Sequence, residues 1–142
     1  MLNKPTVFLL NALSQSENLQ IFLKENTEFF INKTLAEYLN ELLSEKGLIK
    51  SKVIRKAELS DDYAFQIFSG IRKSPSRDKL ICLCIGMELN GQETDGLLKL
   101  AGQAPLYPKN KRDSIILFGI KENQSVCDIN QTLFENGEQT LG

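Results

Sequence analysis

Nine lysine or arginine side chains fall between positions 46 and 79 (Lys46, Lys50, Lys52, Arg55, Lys56, Arg72, Lys73, Arg77 and Lys79). They face four acids there (Glu58, Asp61, Asp62 and Asp78), a local balance of +5. The rest of the 142-residue chain carries eight basic and fourteen acidic side chains, a balance of −6. The net charge of −1 therefore conceals a basic middle between acidic ends. Cations concentrated in this way can neutralise phosphates and release their counterions. A solvated lysine-rich surface gives the same excess, so charge alone leaves both readings open.

Other chemistries are poorly supplied. The chain has no histidine, which removes Ser-His-Asp, Cys-His and histidine-metal sets together. Its three cysteines are an odd number, and Cys82 and Cys84 stand two apart inside an apparent helix. That spacing suits neither a disulfide framework nor a metal-ligand set, and core packing in a reducing compartment is expected. No Gly-rich phosphate loop occurs. No enzyme activity, metal or cofactor is expected.

The elements that must position the basic residues are legible from apolar spacing and caps. From Gly47 to Lys79 the chain reads as two short helices joined by a tight turn and followed by a basic loop. The first helix carries Val53, Ile54 and Ala57 on one side, and the second carries Ala64, Ile67 and Phe68. Thr34 with Glu37, Asn90 with Glu93, and Ser125 with Asp128 each place a capping side chain three residues ahead of an acid. Ser16, Ser60 and Ser76 are further N-cap candidates, and Gly47, Gly70, Gly102 and Gly137 mark helix ends.

These signals predict an all-α chain with helices at Val7 to Leu13, Glu17 to Lys24, Leu35 to Lys46, Lys50 to Ala57, Asp61 to Ser69, Arg77 to Gly86, Gln92 to Ala101, Lys109 to Glu122 and Val126 to Glu135. The run Ser114 to Ile120 could pass for a buried strand, but its flanks extend it to helix length. The length suits one well-buried core. Residues 1–33 are expected to form an N-terminal helical extension, 34–103 the central domain, and 104–142 a C-terminal helical extension packed on the same core. Val7, Phe8, Leu10, Leu13, Leu19 and Phe22 at one end, and Ile115, Ile116, Phe118, Ile120, Ile129, Leu133 and Phe134 at the other, are expected to supply the packed faces. No apolar run is long enough for a membrane span, and a soluble cytoplasmic protein is expected.

Six motifs carry a resemblance across nearly the whole chain: LAEYLNELLSEKGL (35–48), YAFQIFSG (63–70), PSRDKL (75–80), GLLKLAG (96–102), APLYPKNKRDSIILFGI (104–120) and INQTLFENGEQTL (129–141). With them the chain resembles the phage-repressor-like (Xre-type) helix-turn-helix regulators, and more narrowly a Gram-positive bacterial group with the same flanks. The resemblance implies a phage-repressor-like helix-turn-helix domain with helical extensions at both ends. It also implies a DNA-binding transcriptional regulator.

By that resemblance Lys50, at the start of the second helix of the reader domain, stands where a glutamine commonly binds a phosphate, and Lys52 belongs to the same basic surface. Asp61, Asp62 and Gln66 fall on the exposed side of the recognition helix at about 61–69, whose N-terminal residues meet base edges in the major groove. Gln66 could pair with adenine through N6 and N7. Arg72, Lys73 and Arg77 would grip the backbone, aided by the helix start at Ser76. Two carboxylates facing DNA depart from the family pattern. Asp61 and Asp62 could stabilise the helix N-terminus, bridge to Lys50, or accept from cytosine N4, and the first of these is favoured. Phe65 could touch a thymine methyl or mark a protein-binding surface, but packing beneath the basic loop is expected.

Two function classes remain. The first is a sequence-specific regulator of double-stranded DNA, a homodimer joined through its terminal helices, because one recognition helix makes few contacts and operators mirror a two-fold protein. The second is an interaction adaptor that uses Asp61, Asp62 and Phe65 for another protein, such as a signalling kinase.

Overall fold

The computed structural model describes residues 6–15, 18–25 and 33–142. The chain divides into two compact units, Met1–Lys33 and Thr34–Gly142. The described residues of the first hold α1 (Thr6–Gln15) and α2 (Leu19–Glu25). Ser16, expected to cap the second helix, lies outside the described residues, as do the side chains of Val7, Phe8 and Phe22. Leu10, Leu13 and Leu19 are exposed.

The second unit holds α3 (Leu35–Glu45), α4 (Lys50–Ala57), α5 (Asp61–Ser69), α6 (Arg77–Gly86), α7 (Gly91–Leu100), α8 (Lys111–Lys121) and α9 (Val126–Glu135). The protein is all-α, with no strand among the described residues. The segment Ser114 to Ile120 is helical, inside α8. Helix starts follow their caps. Thr34, Ser60, Ser76, Asn90 and Ser125 each accept a hydrogen bond from the backbone N–H three residues on, and Asn90 with Glu93 completes a capping box. The start of α8 falls two residues later than Lys109, because Asn110 caps it through the Asp113 amide.

The middle helix α6 is apolar all round. Every residue from Leu80 to Gly86 is buried, Cys82 and Cys84 included, as a helix surrounded by others requires. Burial pushes the Cys82 thiol up to about 11 and the Cys84 thiol to about 12. Against α6 lies α4, and the two helices come close together at Gly86. A Cβ there would stand 2.5 Å from the Val53 carbonyl oxygen and 2.9 Å from Ala57 Cβ. One continuous core runs from Leu39 through Ile67, Leu80, Ile81, Leu97 and Leu98 to Ile116, Ile129 and Leu133.

Two aromatics expected in this core are not there: Phe118 and Phe134 are both exposed. In α8 the buried positions are Asp113, Ile116, Gly119 and Ile120, and in α9 they are Val126, Ile129 and Leu133. Phe118 falls between buried turns and Phe134 one step, about 100°, past Leu133, so both leave the buried stripe.

Two ion pairs cross between the first turns of α6 and α8. The Arg77 guanidinium meets the Asp113 carboxylate with both forks, at 3.2 and 3.0 Å. Arg112 meets Asp78 in the same way, at 3.0 and 2.9 Å. Each Arg-Asp dipeptide thus answers the other in reverse. Asp113 is buried and also accepts from the Tyr107 N–H, while Arg112 also donates to the carbonyls of Gln139 and Thr140.

Candidate nucleic-acid interface

Between α4 and α5 the turn is only Glu58, Leu59 and Ser60. Glu58 closes α4 in the left-handed region (φ 56°), Leu59 is buried, and the Ser60 hydroxyl accepts from the Tyr63 N–H. The turn thereby fixes both helices against the core through Val53, Ala57, Ala64, Ile67 and Phe68. Asn40 on α3 adds a hydrogen bond from its side-chain amide to the Phe68 carbonyl at 3.0 Å.

What remains outward on α5 is Asp61, Asp62, Phe65 and Ser69, with Gln66 half-buried among them. Asp62, Phe65, Gln66 and Ser69 follow the i, i+3, i+4, i+7 spacing of one helix face. Phe65 is 64% exposed, so it does not pack beneath the basic loop. The reason is angular: Ala64, Ile67 and Phe68 already fill the inner arc, and Phe65 lies to one side of it, about 100° round from Ala64. Asp61 and Asp62 occupy the first turn of α5, where the helix dipole favours anions, and no ion pair reaches them among the described residues. A bridge from Lys50 does not form. Its ammonium stands over the Phe68 ring, 5.1 Å from the centroid.

Beyond α5 the chain turns through Gly70 (φ 86°), and the Arg72 N–H donates to the Gln66 carbonyl at 2.9 Å. This turn brings the two side chains together. Arg72 donates from Nε at 3.1 Å and from Nη2 at 2.7 Å to the same Gln66 Oε1. Its guanidinium lies over the Tyr63 ring, 4.5 Å from the centroid. The Tyr63 hydroxyl in turn accepts from the Ser76 N–H at 3.4 Å, and Lys79 approaches the same ring at 5.6 Å. Ser76 caps α6 by accepting from the Lys79 N–H.

The structure separates the remaining basic residues into three groups. Lys46 and Lys56 are ion-paired, with Glu93 at 2.8 Å and Glu88 at 2.9 Å. Lys52, Arg55 and Lys73 are exposed and have no ion-pair partner among the described residues. Arg77 is committed inward. Besides Asp113, it donates to the carbonyls of Ala104 at 2.9 Å and Pro105 at 3.1 Å, which uses four of its five N–H groups. Most of its guanidinium is thus engaged within the fold, and its effect on the surface is to hold the first turn of α6 in place.

Tyr63 and Asp113 escaped the sequence reading. Tyr63 offered one signal, an aromatic hydroxyl three residues before Gln66 and close in sequence to the basic loop. The signal for the crossed pairs was the repeated Arg-Asp dipeptide at 77–78 and 112–113. Among the described residues no group of three or more metal-ligating side chains occurs, and no helix is long and apolar enough to cross a membrane. No protein-family model, curated protein or solved structure matches this chain.

Proposed function

We propose that this protein is a sequence-specific DNA-binding transcriptional regulator of the phage-repressor-like helix-turn-helix kind, reading the major groove with α5. The observation that carries the reading is the outward face of α5. It presents Asp62, Phe65, Gln66 and Ser69 to solvent while the opposite face is wholly buried, and exposed cations stand before it (Lys50, Lys52) and after it (Lys73). A helix in the groove with cations to either side can place base-reading groups while the cations hold the phosphates. Cytosine N4 is a suitable donor for the exposed Asp61 and Asp62, and a thymine methyl suits Phe65.

The regulator acts as a homodimer in this reading, joined through its terminal helices, on which the exposed Phe118 and Phe134 supply apolar surface. A second reading, an adaptor for a signalling protein, draws on the same exposed Phe65 with its two neighbouring carboxylates. Selection of random-sequence duplexes by the purified protein near physiological salt separates the two. The regulator enriches a two-fold-symmetric site and loses affinity steeply as salt rises. Absence of any salt-sensitive retention would transfer the face of α5 to a protein partner.

A further inference from the structure

We propose that Gln66 and Arg72 act as one guanine-reading unit, with Tyr63 as its positioning residue. This rests on the DNA-binding reading above and names the base that the face of α5 selects. A lone glutamine in the major groove suits adenine, because its amide offers the donor that N7 needs and the acceptor that N6 needs. Here the acceptor is occupied. The single oxygen Oε1 of Gln66 takes two N–H groups from Arg72, at 3.1 and 2.7 Å, which accounts for both of its lone pairs. The orientation of the amide follows from chemistry, since an arginine has only donors and can face only the oxygen side.

The edge left outward is composed of donors alone: the two N–H groups of Gln66 Nε2, the Nη1 pair of Arg72, and its second Nη2 hydrogen. None has a partner among the described residues. Of the four bases, guanine presents two acceptors, N7 and O6, and no donor in the major groove, so it satisfies such an edge best. Adenine would set its N6 donor against another donor. Tyr63 fixes the plane of the Arg72 guanidinium from one side, and its own hydroxyl is tied to the Ser76 N–H, so the unit is set before any ligand arrives.

Selection from random-sequence duplexes, run side by side with the full-length wild type, Arg72→Ala, Tyr63→Leu and Tyr63→Phe, tests this. The wild type prefers guanine to adenine at one position of each half-site by roughly ten- to hundredfold. Arg72→Ala frees Oε1, and the preference at that position swings to adenine through Gln66. Tyr63→Leu relaxes it, and Tyr63→Phe, which keeps the ring, retains it. Unchanged guanine preference in Arg72→Ala overturns the assignment while leaving the regulator reading intact. So does equal loss of binding to all sequences, which marks Arg72 as a phosphate contact, or wild-type selection with no guanine at such a position. A wild type that retains no DNA in a salt-sensitive way overturns the regulator reading and this assignment together.

Discussion

Arg77 illustrates how a cation near a basic surface can owe its place to the fold. Its side chain is 23% exposed and that of Asp113 8%, and the pair is held by two carbonyls and a backbone N–H besides. Removing the guanidinium leaves a carboxylate with little water to replace it, the situation in which breaking a charge pair is most costly. Arg77→Ala is expected to destabilise the protein by about 3 kcal/mol, read as a shift of the urea unfolding midpoint. A phosphate-binding role would instead leave that midpoint unmoved and lower DNA affinity alone. Gln66 is the converse case. Its type was plain in the sequence, but the loss of its acceptor to Arg72 depends on a turn at Gly70 that brings together residues six apart, and no helical spacing rule covers that contact.

At the level of elements, the caps carried most of the legible information. Ser side chains that satisfy otherwise unpaired N–H groups are local devices, so α5, α6 and α9 begin where the sequence puts them. Packing partners are not local, and Phe65, Phe118 and Phe134 show it: each is apolar, each lies next to a buried residue, and each faces solvent. A period read over nine to eleven residues fixes which stripe is inner only to within about one residue's 100° step. The approach of α4 to α6 was equally hidden, because Gly86 looks like a helix terminator until Val53 and Ala57 are placed against it. Gly86→Ala should lower stability by about 1–3 kcal/mol, since the added methyl meets backbone rather than a yielding side chain. An unchanged thermal midpoint for this variant would show that the two helices can separate without loss.

On the scale of the whole second unit, charge joins parts that are distant in sequence. Lys46, at the C-terminal end of α3, meets Glu93 in the first turn of α7 at 2.8 Å. The hydrogen bond from Lys46, together with that from the Asn90 N–H, holds the Glu93 carboxyl below the usual glutamate range despite some desolvation. A carboxyl depressed in the folded state stabilises it above its unfolded pKa, and that contribution is lost as pH falls through the folded value. Glu93→Gln should therefore unfold with a smaller loss of stability between neutral pH and pH values below the ordinary glutamate range. Parallel urea titrations at the two ends of that range measure it, and an identical acid loss in variant and wild type would show the link to be without effect.

The crossed pairs between Arg77-Asp78 and Arg112-Asp113 also bear on how this chain can change over generations. A charge reversal at any one of the four positions sets like charges face to face in a partly buried place, and its remedy lies some 34 or 36 residues away. Such positions cannot drift one at a time without passing through a weakened ancestor. They are inherited as a single character, and a lineage that exchanged the order of one dipeptide would be expected to have exchanged the other as well.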